Sequence, residues 1–117
     1  MRLLTNTEFS QFITARRVAV LHFDAEWNLH RTTARQKMLD AQVALSDQVN
    51  FAEVDCDSES DLARSIPVLN VPCIAYYLDG QLVAALIGAN QNIHSRIERL
   101  LRGETIDSKM ARTQPDV

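Results

Sequence analysis

With 117 residues, 13.2 kDa and 46% apolar residues, the chain can build one domain around one core and not two. A formal charge of -3 and a sequence pI near 5.5 exclude the basic excess of a general nucleic-acid binder. The start from Met1 to Phe12 is polar and interrupted and no run approaches the roughly 18 apolar residues of a membrane span, so a soluble cytoplasmic protein is expected.

In chain order, the short apolar pair Leu3-Leu4 is a candidate strand, and Thr5 with Glu8 has the offset of a capping box. Phe9, Phe12 and Ile13 then repeat at helical spacing, with Arg16 and Arg17 placed where cations favour a helix C-terminus. Val18 to Phe23 is a nearly continuous β-branched and apolar run, the pattern of a strand covered on both faces. From Asn28 to about Gln48 there is no Gly or Pro, and Leu29, Met38, Leu39, Ala41, Ala44 and Leu45 give the intermittent stripe of a long helix. Val49 to Cys56 reads as a second buried strand. Asp57 or Ser58 then caps a short helix that carries Leu62, Ala63 and Ile66 and ends at Pro67. Pro72 opens the strand Cys73 to Leu78, Asp79-Gly80 signals a hairpin turn, and Leu82 to Ile87 is the antiparallel partner. Ile93, Ile97, Leu100 and Leu101 define a last helix closed by Gly103. Glu104 to Val117 has few apolar residues and no pattern, so residues 1–103 form the domain and 104–117 a flexible tail. Alternating helices and strands of this kind give an α/β fold with a mixed central sheet.

Val20-Leu21-His22-Phe23-Asp24-Ala25-Glu26-Trp27 ahead of a long helix, then Asn70-Val71-Pro72, Tyr76 to Val83, and Ile87-Gly88-Ala89 resemble the thioredoxin family from about Leu3 to Gly103. The resemblance implies a five-stranded sheet in the order 1-3-2-4-5, flanked by four helices, with Leu3-Leu4 as strand 1 and Pro72 as a cis proline facing the N-terminus of the long helix. It also implies that Cys-Gly-Pro-Cys should follow the Trp, and here Trp27 is followed by Asn28-Leu29-His30-Arg31. Dithiol exchange needs a first thiolate stabilised at the helix N-terminus and a second sulfur to resolve the mixed disulfide. Asn and Arg supply neither, so no catalytic residue is expected at this place.

The family's buried carboxylate aligns with His22 and its lysine partner with Glu53, which leaves a buried His-Glu pair that is more often structural than catalytic. Asn28 reads first as a helix N-cap. His30, Arg31, Arg35 and Lys37 form a basic stretch at a helix start, either a solvated face or, with Arg31 as first contact, a site for an anion at the long-helix N-terminus. Trp27 and Leu29 fall on the rim of the former active site beside Val71-Pro72, where the family binds extended polypeptide.

Cys73 follows the proline and Cys56 ends a strand; the implied strand order keeps them about 9 to 10 Å apart, beyond the roughly 7 Å that a disulfide spans. Without a Cys-x-x-Cys, and with His22, His30 and His94 scattered singly, no metal site or cofactor is expected. The acidic run Glu53, Asp55, Asp57, Glu59, Asp61 imitates half a calcium loop, but Ser60 and Ile66 stand where Gly and Glu are required. The expected function is a redox-inactive, chaperone-like module that binds a protein or peptide through Trp27, Asn28, Leu29, His30, Arg31, Val71, Pro72 and Cys73. The alternative is a single-cysteine redox protein that uses Cys73.

Overall fold

The computed structural model describes residues 1–66 and 70–106 and the backbone of 110–113. Pro67, expected to end the third helix, lies outside the described residues. A short 3-10 turn, Asn6–Glu8, leads into helix α1, Phe9–Thr14. Strand β1 spans Val18–Asp24, helix α2 Arg31–Leu45 and strand β2 Val49–Asp55. The short helix α3, Ser60–Ala63, precedes the hairpin strands β3, Cys73–Leu78, and β4, Gln81–Ile87; helix α4, Ile93–Leu101, and strand β5, Met110–Thr113, follow.

The sheet order is β2-β1-β3-β4-β5, with β1 parallel to β2, antiparallel β1–β3 and β3–β4 pairs, and β5 parallel to β4. Strands β1 to β4 stand in the expected relative order, but the two edges differ from the expected 1-3-2-4-5 arrangement. Leu3-Leu4 is reduced to a single bridge between Leu3 and Glu53, carried by the Leu4 N–H to Glu53 carbonyl bond and the Glu53 N–H to Arg2 carbonyl bond, both 2.8 Å. At the opposite edge, residues expected to be a patternless tail supply β5. Ile106 is buried against the α2 and α4 side of the core, and backbone pairing of 110–113 covers the edge of β4, which no alternation of side chains in that segment announces.

Every residue of β1 is buried, because the central strand is covered on both faces. Ala19, Leu21 and Phe23 pack with Phe12, Leu62 and Tyr77 on the α1 and α3 side, while Val18 and Val20 pack with Met38, Phe51, Tyr76 and Ile97 on the α2 and α4 side. The strand period of two therefore sends His22 and Asp24 to the α2 side as well. Glu53 pairs directly with His22 in the β1–β2 register, which brings both polar side chains beneath the start of α2.

Helix α4 ends as expected at Gly103, where the Gly103 N–H donates to Leu100 and the Glu104 N–H to Arg99, the double closure of a Schellman motif. The long helix is shorter than its pattern suggests, since residues 28–30 form a turn before it. Asp79 and Gly80 both have positive φ, at 52° and 80°, as a two-residue hairpin turn requires. A Cβ at Gly80 would lie 3.0 Å from the Thr14 Cγ2. Gly80→Ala is therefore expected to lower the unfolding free energy by about 1–2 kcal/mol in urea melts, whereas an unchanged midpoint would mean that this turn tolerates a side chain.

Candidate functional site

Four charged side chains converge where β1 and β2 end beneath α2. His22 Nε2 lies 2.6 Å from Asp24 Oδ2 and its Nδ1 lies 3.0 Å from Glu53 Oε2. His22 is fully buried, and Asp24 and Glu53 nearly so. Arg35, from the second turn of α2, closes the group with Nε to Glu53 Oε2 at 2.8 Å and Nη2 to Glu53 Oε1 at 3.0 Å. A neutral imidazole has one N–H, yet both ring nitrogens here face carboxylate oxygens, so the geometry requires the imidazolium, with both nitrogens donating. Burial disfavours that charge, but the hydrogen bonds to Asp24 and Glu53 outweigh it and raise the His22 pKa above its ordinary 6.5. Burial likewise works against the Glu53 carboxylate, and donation from His22 and Arg35 overrides it, holding its pKa down to about 2. The four groups then sum to zero charge.

Asp24 carries the network into the loop ahead of α2. Its Oδ1 accepts from the Ala25 N–H and from Asn28 Nδ2, both at 2.8 Å. Asn28 Oδ1 accepts from the His30 N–H at 3.1 Å, and the Asn28 carbonyl accepts from the Arg31 N–H at 3.3 Å. Asn28 is therefore not the expected N-cap but a turn former; the N-cap is His30, two residues later. This pinned loop holds Trp27 and Leu29 out in solvent, 67% and 93% exposed. The Val71–Pro72 bond is cis. Pro72 is buried one residue beyond the Phe23–Cys73 register pair, and so lies at the same end of the sheet as the loop.

Of the residues expected at the site, Trp27, Asn28, Leu29, His30, Arg31, Val71 and Pro72 gather at this end, but Cys73 does not reach its surface. It is fully buried in β3, and burial pushes its thiol up to about 12. Cys56 is half-buried, and burial together with Asp24, Asp55 and Asp57 pushes its thiol up to about 11. Both are free thiols, and their raised pKa values favour the protonated form near neutrality. Arg31 is half-buried and lines a cleft of about 300 Å³ with Met1, Leu3, Glu26 and Asp55, above Asp24, Arg35 and Glu53. Four carboxylates share that cleft with two arginines, so Arg31 stands among acidic side chains. Among the described residues, no group of His, Cys, Asp and Glu is arranged to hold a metal ion.

The Thioredoxin family model matches residues 1–99. The chain belongs to the thioredoxin family. It is 33% identical over 88 residues to the mitochondrial thioredoxin-3 of Saccharomyces cerevisiae, an alignment covering 74% of this chain and 68% of the yeast protein. It is 32% identical over 81 residues to protein disulfide isomerase-like 1-4 of Oryza sativa subsp. japonica, where it covers 67% of this chain and spans only 14% of the rice protein's length. The crystal structure of the oxidized yeast thioredoxin 3 superposes with a TM-score of 0.73 at 28% identity, covering 88% of this chain and 94% of the yeast chain. Within that thioredoxin frame, the place of the Cys-Gly-Pro-Cys motif is taken by the Asn28 turn. Asp24 and Arg35 are the two members of the polar cluster that the sequence reading missed. Asp24 is legible as the i+2 neighbour of His22 on one strand face, whereas Arg35 stands in a basic stretch that reads either as a solvated face or as an anion site.

The cluster fixes the pH dependence of stability. His22, with a raised folded pKa, stabilises fully below its unfolded value near 6.5 and ceases to as pH rises through the folded value. Glu53, with a lowered one, stabilises above 4.5 and ceases to as pH falls toward about 2. Urea unfolding across pH should therefore show stability falling on both the acid and the alkaline side. Glu53→Gln, which leaves His22 and Arg35 without their shared carboxylate, should cost about 3–5 kcal/mol and weaken the acid limb. Stability that rises steadily above neutrality would contradict the imidazolium.

Proposed function

We propose that this thioredoxin-family protein works without dithiol exchange, as a chaperone-like module that binds an extended polypeptide segment at the rim formed by Trp27, Leu29, Arg31, Val71 and Pro72. The observation that carries the reading is the pairing of one buried and one half-buried thiol with two large apolar side chains held in solvent on a hydrogen-bonded turn. Exposed apolar groups on a fixed loop lose little conformational freedom on binding, so their burial goes into affinity. The cis Val71–Pro72 segment at the same end of the sheet supplies the second wall.

Two measurements test the reading. In dithiothreitol-driven reduction of insulin, the protein should not raise the rate above the uncatalysed reaction, and acceleration of thioredoxin type would overturn the redox-inactive assignment. Carboxymethylated α-lactalbumin, a permanently unfolded chain, should bind to the native protein, and Trp27→Ala and Leu29→Ala should each weaken binding about tenfold or more, the loss expected when a well-buried anchor is truncated. Binding that is indifferent to both substitutions would remove the rim from the mechanism.

A further inference from the structure

The polar cluster and the rim are joined by a continuous set of hydrogen bonds. His22 holds Asp24, Asp24 holds the Ala25 N–H and the Asn28 amide, and Asn28 holds the His30 N–H at the start of α2. Trp27 lies inside this span. Among the described residues, charged and titratable groups face the imidazole and its partners from β1, β2, α2 and the loop between them, with Arg31 and Asp55 lining the same cleft as Asp24 and Glu53. Asp24 adjoins it on β1 and Glu53 on β2, Arg35 reaches Glu53 from α2, Glu26 acts on Arg35 from the loop, and the Cys56 thiol lies near Asp24. From β3 the register partner of His22 is Ile74, which is apolar.

We propose that His22 is a pH switch for the rim: as the imidazolium it anchors the Trp27 loop through Asp24 and Asn28, and on losing its proton it releases that loop.

The direction follows from which carboxylate can move. A neutral ring keeps one N–H, so one of its nitrogens must turn a lone pair toward a carboxylate. Glu53 is clamped by two bonds from Arg35 and lies within β2, with its backbone also tied to the N-terminal segment. Asp24 is the last residue of β1, and beyond it the chain is a loop. Asp24 is the partner that gives way, and Asn28 loses its acceptor with it. At lower pH the rim is ordered in advance of binding, and at higher pH a ligand must order it. The consequence for binding rests on the proposed rim function. The switch itself does not, because Trp27 is the only tryptophan in the chain and reports on its loop without any ligand.

The test is time-resolved anisotropy of Trp27 across pH, alongside NMR titration of the His22 ring and circular dichroism to exclude unfolding. The fraction of anisotropy lost on the nanosecond scale of loop motion should rise about twofold or more, with the midpoint of His22 deprotonation, while secondary structure is retained. In Asn28→Ala the fast component should be large at every pH although His22 still titrates, and in His22→Asn it should be independent of pH. Since Asn28 lies in the loop, its variant decides the matter even if the His22 variant does not fold. A Trp27 transition that survives Asn28→Ala, a His22 titration with no Trp27 response, or a transition that coincides with loss of secondary structure would each overturn the switch. If the switch holds while carboxymethylated α-lactalbumin fails to bind, only the rim function falls.

Discussion

Two carboxylates removed from water at the end of a sheet constrain everything around them. Asp24 and Glu53 are nearly fully buried, and leaving either charge without a partner there would cost several kcal/mol. His22 and Arg35 balance them, and each has to arrive from a defined direction. The β1–β2 register sets His22 against Glu53, the strand period sets His22 against Asp24, and the second turn of α2 delivers Arg35. The start of α2 is in turn displaced three residues past Asn28, because that side chain is committed to Asp24 and to the His30 N–H. The architecture of the candidate site is therefore largely an answer to one electrostatic demand.

The same demand explains how a thioredoxin frame holds this loop without a Cys-x-x-Cys in it. A loop that no longer carries thiols has no chemical reason to keep its shape, yet here it is tied at Ala25, Asn28 and His30 by hydrogen bonds that originate in the buried cluster. The remaining cysteines fit a structural role. Cys73 packs with Phe23, Ala75 and Tyr77 as a small apolar residue, and Cys56 faces acidic neighbours that oppose a thiolate. At the surface of the loop stand two exposed apolar side chains, Trp27 and Leu29.

Much of this was legible in the sequence, and the exceptions have physical causes. The β-branched run of β1, the Asp79-Gly80 turn, the Gly103 closure and the proline ahead of Cys73 are local signals, and each element forms close to where its signal lies. The His22–Glu53 pair was also visible, through the family alignment. Arg35 was not, because one cation among His30, Arg31, Arg35 and Lys37 looks like any other until α2 is laid on the sheet. Strand β5 escaped for a related reason: it is held by backbone pairing to an edge, and backbone pairing leaves no mark on residue choice in Met110–Thr113. The first strand was overread, since Leu3-Leu4 is apolar enough for a strand but contributes only one bridge.

The cleft beside α2 reaches Asp24 and Glu53 but is not lined by His22. The nearly buried carboxylates therefore stand between the cleft and the ring, and a proton leaving the imidazole has to pass one of them. Arg35, whose side chain is 39% exposed, stands over that path and closes it with two bonds to Glu53. What covers the buried proton is thus a side-chain ion pair rather than a hinge of the backbone. The interior can exchange protons with bulk solvent while the sheet stays closed, so the ionisation of the core remains in equilibrium with the surroundings of the folded protein.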